Sequence, residues 1–350
     1  MSKIASLSEF LEAIGVEIHV FDMGRRVSRI SPELLLHFER TDVPYPLPLQ
    51  QQAWFGMLLA SPQRAQSESS IWFLRFPLDE QGKLVLAARD DFMHRLLESL
   101  DNNLRTVSQR EQMPSAPQDN PYAFQPRPER MAVFHAKLTL ALKQPASGYY
   151  AHARAYFSGE LGWDQWSFLG YQGIADIAAR LRQEDHARLL TAAIPWLPPS
   201  PLEALCHCLE NETIPEGLAQ ALLARVHDTL MQTHPDPQIL TAAIRGVACA
   251  GSVDLRQALI HAVLSHDIAR RGDILAAIGG RAWESLCDES LREIYLERLA
   301  GNDQGQHYFN TLLSDLLYLP ATRDGMLTSL RNPRWPGQLA ESIGLFLQTV

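Results

Sequence analysis

Cysteine is scarce in this sequence, which argues against both a disulfide framework and a zinc site. The 350 residues include only 4 cysteines, Cys206, Cys208, Cys249 and Cys287. All four lie in apolar segments with helical periodicity, so we expect buried, reduced thiols. Cys206 and Cys208 flank His207, but residues two apart on a helix point to different sides, and no second pair completes a tetrahedral site. We therefore predict no metal site.

Positive charge is also limited, and lysine is nearly missing. The chain has 4 lysines and 27 arginines against 40 acidic residues, for a formal net charge of −9. Without a basic tail or a lysine cluster, nucleic acid is disfavoured as the main partner, although the composition still permits an arginine-lined face. The same charge disfavours binding to anionic membrane surfaces.

Long apolar runs and a secretion signal are missing as well. No stretch reaches the roughly 18–20 apolar residues that cross a bilayer. Ser6 and Glu9 have the spacing of a capping box, ahead of the apolar residues Phe10 and Leu11. The start of the sequence therefore predicts a folded helix rather than a signal peptide. These features predict a cytoplasmic protein that does not associate with membranes.

Motifs for catalysis and cofactor binding are not found either. The sequence has no phosphate-binding glycine loop ending in Lys-Ser/Thr, no dinucleotide-binding glycine fingerprint and no nucleophile elbow. Acidic pairs at 79–80, 90–91 and 184–185 lie beside predicted turns or helix starts, where acids favour the helix dipole. His261 and His266 are five residues apart, and we interpret them as solvent-facing residues at helix ends. No catalytic residue and no cofactor is predicted.

Residues 1–105 mix strand and helix patterns and predict a small α+β domain with a mostly antiparallel sheet. The predicted elements are strands at 16–20, 26–30, 71–76 and 83–88, and helices beginning at Ser31-Pro32 and at Asp90-Asp91. The apolar run 54–59 is too short to assign. Residues 106–130 contain five prolines and predict a linker without helix or central strand, which Tyr122 and Phe124 would attach to a neighbouring surface.

Residues 131–350 predict an all-α region, because helix-length segments alternate there with short breakers and no strand pattern occurs. Leu-Thr-Ala-Ala-Ile stands at both 190–194 and 240–244, and Ile-Leu-Ala-Ala-Ile at 274–278 echoes it. This pattern predicts stacked helical hairpins, a HEAT-like α-solenoid. The alternative is an irregular helical bundle whose alanine-rich helices are alike only in composition.

Three parts of the chain support a resemblance to a known family. They are the segment from Val20 to Val27, Pro44-Tyr45-Pro46 followed by Trp54, and the segment from Asn120 to Phe124. With these residues the chain resembles, over nearly its full length, a bacterial family catalogued only as a domain of unknown function, of about this length. The resemblance implies a bacterial, cytoplasmic, non-secreted protein, and it transfers no activity, cofactor or catalytic residue.

The densest aromatic segment runs from Trp163 to Tyr171 and includes Trp166. Trp and Tyr are favoured at binding interfaces because they bury a large area and carry a polar group. These rings therefore indicate either a partner surface or packing between the first helices. Trp166 and Leu169 are three apart and could share a buried helix face.

Two arginine pairs are further candidates for partner binding. Arg25-Arg26 follows a predicted Met-Gly turn, and Arg270-Arg271 lies between two predicted helices. Adjacent guanidinium groups can bind a carboxylate or phosphate bidentately. The alternative is that both pairs are exposed and pair with nearby acids.

The sequence favours a non-enzymatic interaction or scaffold protein that presents a helical-repeat surface to a protein partner. A first alternative is RNA or DNA binding through an arginine-lined face of the array. A second is an enzyme whose site forms where the two domains meet, because many sites have no local sequence signature.

Overall fold

The computed structural model describes residues 6–13, 15–60, 69–105, 120–332, 335 and 337–348. The chain divides into two compact units. The first comprises Met1–Arg130 with Tyr318–Pro320, and the second comprises Met131–Leu317 with Ala321–Val350. The part of the predicted linker at 106–119 lies outside the described residues.

The first unit contains a four-stranded antiparallel sheet with the strand order β2-β1-β3-β4. Its elements are α1 (Leu7–Ala13), β1 (Glu17–Asp22), β2 (Ser28–Ile30), α2 (Pro32–Glu39), β3 (Gln52–Ala60), β4 (Ser70–Pro77) and α3 (Leu86–Arg105). The capping chemistry read from the sequence is present. Ser6 Oγ accepts the Glu9 amide at 3.1 Å, and Ser31 Oγ accepts the Leu34 amide at 3.2 Å.

The apolar run that could not be assigned from the sequence is β3, which lies between β1 and β4. β3 has consecutive buried residues from Phe55 to Leu59 rather than strict alternation, so both faces of this central strand are covered. Burial on both faces removes the period-2 signal on which a strand prediction depends.

The predicted strand at 83–88 is wrong. Only an isolated bridge joins Leu78 to Leu84, and α3 already begins at Leu86. The edge of β4 that faces away from β3 pairs instead with the segment around Tyr122, because the Arg75 amide donates to Tyr122 O at 2.7 Å. Asp90-Asp91 consequently lie inside α3 and do not begin it.

Tyr122 and Phe124 attach their segment to the first unit, as predicted. The Tyr122 ring stacks on Phe76 with ring centroids 5.3 Å apart, and the Phe124 ring meets Trp54 edge-on at 4.8 Å. The prediction that this proline-rich region contains no helix fails at its end, because α4 begins at Pro128. Proline is tolerated in the first turn of a helix, where its missing N–H has no intrahelical partner.

The second unit is helical throughout its described elements. They are α4 (Pro128–Ala141), α5 (Tyr150–Phe157), α6 (Tyr171–Ala179), α7 (His186–Ala193), α8 (Pro199–Leu209), α9 (Glu216–Leu230), α10 (Pro237–Val247), α11 (Val253–Leu264), α12 (Gly272–Arg281), α13 (Glu289–Ala300), α14 (Gln306–Tyr318), α15 (Pro320–Leu330) and α16 (Gly337–Leu347). Short 3-10 helices cover Trp163–Phe168, Asp267–Arg270 and Trp283–Cys287.

Alternate helices pack side by side in two rows. In one row α6 contacts α8, α8 contacts α10 and α10 contacts α12, and in the other α5, α7, α9, α11 and α13 are in contact in that order. Two polar contacts join α8 to α10, each between residues 35 apart in sequence. Gln238 Nε2 donates to Glu203 Oε2 at 2.6 Å, and Arg245 Nε donates to Glu210 Oε2 at 2.7 Å.

Candidate functional site

The 3-10 helix that follows α5 exposes its aromatic side chains. None of the six residues Trp163–Phe168 is buried. Trp166 is 41% exposed and Phe168 is 75% exposed. A third ring, Tyr149 at the start of α5, is 61% exposed. We call Tyr149, Trp166 and Phe168 the aromatic patch.

Two glycines and one anchored tryptophan set the course of this segment. Gly159 and Gly162 have φ values of +83° and +77°, a region where other residues are strained. The Trp163 ring meets the buried Tyr156 ring edge-on, with ring centroids 5.7 Å apart. The Tyr156 hydroxyl donates to Trp163 O at 3.0 Å. Trp163 is thus anchored against α5, whereas Trp166 and Phe168 face solvent.

Two further glycines hold Tyr149 against the end of the segment. A Cβ atom on Gly170 would lie 3.0 Å from Tyr149 Cδ1, so the ring lies directly against this glycine. A Cβ atom on Gly173 would lie 2.5 Å from Tyr149 O. Phe168 is two residues before Gly170, so Tyr149 packs against the same short segment that carries Phe168.

The charge near the aromatic patch is negative. Glu160 and Asp164 are exposed, and no Lys or Arg occurs between Arg154 and Arg180. Arg154 Nη2 is 3.1 Å from Asp185 Oδ1, and Arg180 is buried against Asp176. Burial, with a smaller contribution from the Asp164 charge, raises the pKa of Tyr156 to about 12, so this hydroxyl stays protonated and keeps its bond to Trp163 O.

The sequence-predicted aromatic residues do not form one group. Trp163 is half-buried, Trp166 is exposed, and Tyr171 begins α6 with its hydroxyl buried near Cys208. Burial raises the pKa of Tyr171 well above its usual range. Of the two readings that the sequence left open, burial of Trp166 on a face shared with Leu169 is not observed, because Trp166 is 41% exposed. Sequence reasoning missed Phe168 and Tyr149, because neither has a local signal that distinguishes it from a core aromatic.

The arginine pair in the first unit is not an exposed turn. Arg25 is 1% exposed and its Nε donates to Pro48 O at 2.6 Å, so an anion in solvent cannot reach it. The Arg26 amide donates to Asp22 Oδ1 at 3.2 Å. Asp22 also accepts the Gly24 amide at 3.1 Å and the Tyr45 hydroxyl. This turn is therefore a buried polar centre.

The residues that carry the family resemblance meet at this centre. A Cβ atom on Gly24 would lie 3.1 Å from Trp54 Cδ1. Trp54 Nε1 donates to Leu49 O at 3.0 Å. The Trp54 ring also meets the Phe124 ring edge-on. The Tyr45 hydroxyl, in the segment Pro44-Tyr45-Pro46, donates to Asp22 Oδ2. Three segments that are distant in sequence thus support one corner of the sheet.

We expect Asp22 to make the first unit less stable as pH rises. Burial raises the pKa of its carboxyl from 3.8 to about 6, so between these values the unfolded chain ionises first and the folded chain binds more protons. The free energy of unfolding then falls with rising pH, by about 3 kcal/mol across the window. In Asp22→Asn this loss should disappear, because the amide oxygen still accepts both backbone N–H groups. Urea unfolding from pH 4 to pH 7 measures it, and a pH-independent difference between the two proteins contradicts it.

The second arginine pair is exposed and engaged by acids. Arg271 contacts both carboxylate oxygens of Asp273, at 3.1 and 2.8 Å, and Arg270 Nη2 lies 3.9 Å from Asp267 Oδ1. The Gly272 amide at the start of α12 already donates to Asp303 Oδ1 at 2.9 Å. The pairing with nearby acids that the sequence allowed is therefore the observed arrangement, and no anion site is formed.

Cysteine and histidine side chains do not converge. Cys206 and Cys208 are buried, and burial raises the pKa of both thiols. Cys287 is exposed, so its predicted burial is wrong. Burial and the Arg245 charge lower the pKa of His207 to about 4. Within the described ranges, no three His, Cys, Asp or Glu side chains are grouped so that they could hold a metal ion.

Comparison with known proteins identifies a family but no activity. Residues 2–347 match DUF3549, which is described as a protein of unknown function. No curated protein and no solved structure matches the chain. In the part of the chain that the structure describes, no helix combines the length and hydropathy of a membrane span. The chain belongs to the DUF3549 family.

Proposed function

We propose that this is a bacterial, cytoplasmic, non-enzymatic binding protein whose aromatic patch contacts a protein partner. The observation that carries the proposal is the exposure of Tyr149, Trp166 and Phe168 on one short segment and the helix start that it touches. Aromatic side chains are enriched among the residues that dominate interface energies.

The physical cost of this exposure supports the proposal. Each of these rings presents on the order of 100 Å² of mostly apolar surface to water. Transfer of such surface into an interface is favourable by about 25 cal/mol per Å². The backbone beneath the rings is already ordered by Gly170, Gly173 and the anchored Trp163, so binding loses little conformational entropy.

The helical unit suits this role if it is a HEAT-like solenoid, as we further propose. The two rows of alternate helices support that arrangement. Solenoids offer extended surfaces, and each helix pair depends mainly on its neighbours. We do not propose RNA or DNA as the partner, because Arg270 and Arg271 pair with acids of their own segment.

The double variant Trp166→Ser/Phe168→Ser tests the proposal. We cross-link the variant and the wild type in cells that naturally make this protein, and quantify the cross-linked partners by mass spectrometry. We expect the variant to recover one specific partner protein at least tenfold less than the wild type does. Neither side chain is buried, so the variant should fold, with a free energy of unfolding changed by less than about 1 kcal/mol.

The matched control is Val253→Ser/Leu347→Ser, which removes two apolar side chains of similar exposure, 48% and 59%, from α11 and α16. Its cross-linked proteins should equal those of the wild type. If both variants recover the same proteins in the same amounts as the wild type, the aromatic patch is not the binding site.

A further inference from the structure

We propose that the aromatic patch receives a basic segment of its protein partner, with a Lys or Arg side chain over the exposed rings and close to Glu160 and Asp164. This inference rests on the proposed function and adds the chemistry of the partner. It is carried by the sign of the charge around the rings and by the availability of their faces.

The two charged residues of the segment 159–170 are both acidic. Glu160 and Asp164 are both exposed and lie on the segment that carries Trp166 and Phe168. Gln165 Nε2 donates to Asp164 Oδ2 at 2.8 Å, which is a contact from a neutral group. Among the described residues, no cation lies within ion-pair distance of either carboxylate.

The nearest cation on α5 is already neutralised by another helix. Arg154 lies 3.1 Å from Asp185 Oδ1 and 3.5 Å from Glu184 Oε2, at the start of α7. Arg188 takes the other oxygen of Asp185 at 2.8 Å. These two arginines are therefore engaged by two acids, and, in the described part of the chain, the acids of the segment 159–170 that have no ion pair are Glu160 and Asp164.

The rings themselves favour a cation. In the described structure, Tyr149, Trp166 and Phe168 make no ring–ring or cation–π contact. Aromatic faces carry negative potential and attract Arg and Lys, most strongly at Trp. A carboxylate next to such a face adds a charge-assisted hydrogen bond to the same cation. An acidic partner would instead lose hydration against two like charges.

A random library of peptides of about 12 residues, displayed on phage and selected on the full-length protein, tests this inference. We expect the enriched peptides to combine an apolar or aromatic residue with at least two Lys or Arg. Synthetic peptides from this pool should bind Trp166→Ser/Phe168→Ser at least tenfold more weakly. They should bind Glu160→Gln/Asp164→Asn about three- to tenfold more weakly, and wild-type affinity should fall as salt is raised.

The outcomes separate this inference from the proposed function. Enriched peptides that depend on Trp166 and Phe168 but carry no basic residues, or that bind the Glu160→Gln/Asp164→Asn protein with unchanged affinity, would overturn the basic partner and leave the patch as a binding site. Enrichment that is equal on wild type and on Trp166→Ser/Phe168→Ser would overturn both. Binding unchanged in Val253→Ser/Leu347→Ser supports the assignment to this surface.

Discussion

Replacing Arg180 with Met is expected to lower the free energy of unfolding of the helical unit by about 3–5 kcal/mol. Arg180 is 6% exposed and Asp176 is 1% exposed, and Arg180 Nη1 lies 3.1 Å from Asp176 Oδ1. Removing one member of a buried pair leaves the other charge without its counterion in a medium that solvates it poorly. The expected loss is therefore the cost of a buried, uncompensated Asp176.

The same arginine joins several helices, which adds to the expected effect. Its Nη2 donates to Thr139 Oγ1 at 3.3 Å and to Gln144 O at 3.4 Å. Its backbone oxygen contacts His186 Nδ1 at 2.9 Å. The substitution therefore removes the side-chain contacts that join α6 to α4 and to the turn after α4, whereas the backbone contact with α7 remains; partners in one network do not contribute additively.

Arg188→Met is the matched control for this prediction. Arg188 pairs with Asp185 at 2.8 Å, but its side chain is 82% exposed. Exposed pairs contribute about 0–1 kcal/mol. Urea unfolding followed by far-UV circular dichroism measures both variants. A loss in Arg180→Met no larger than that in Arg188→Met would contradict the assignment of a buried, essential ion pair.

The second large effect concerns one substitution made at two helical glycines. We expect Gly173→Ala to lower the free energy of unfolding by about 3 kcal/mol, because the new Cβ would lie 2.5 Å from Tyr149 O and 2.9 Å from Ala153 Cβ and a packed core absorbs such overlap poorly. Gly280→Ala should raise the free energy of unfolding by up to about 1 kcal/mol, because no described atom outside its own helix backbone and chain neighbours lies within 4 Å of its Cβ position.

The sign difference between the two variants is the test. Thermal unfolding at fixed pH should place Gly173→Ala below and Gly280→Ala above the wild type. Since Gly173 packs against the backbone of Tyr149, Gly173→Ala should also lower the affinity of the aromatic patch for any ligand that binds there. Equal shifts of the same sign would mean that helix propensity alone governs both positions and that α5 and α6 do not approach closely.

Local chemistry made much of the fold readable from the sequence. In α10, Asp236 caps the helix by accepting the Gln238 amide at 2.9 Å, with Pro237 following it. In α11, Ser252 Oγ accepts the Leu255 amide at 3.3 Å. These contacts span two or three residues, so the residue types alone indicate them.

Sequence repetition was a weaker guide than the positions of the helices. The identical segments 190–194 and 240–244 lie in α7 and α10, which belong to different rows. The less similar segments 240–244 and 274–278 lie in α10 and α12, which are neighbours in one row. Buried helices of either row need small and branched apolar residues, so composition alone produced the first match.

The sequence by itself determined the helical character of the second unit, the helix starts at Ser6 and Ser31 and the acidic, lysine-poor character of the chain, because each depends on nearby residues or on totals. Only the tertiary structure decided which of the candidate arginine and aromatic side chains are exposed to solvent. Arg25 is buried because Pro48, 23 residues away, supplies its acceptor. Trp166 and Phe168 are exposed because Trp163 alone of that segment packs against Tyr156. Exposure depends on contacts between distant segments, which no local pattern encodes.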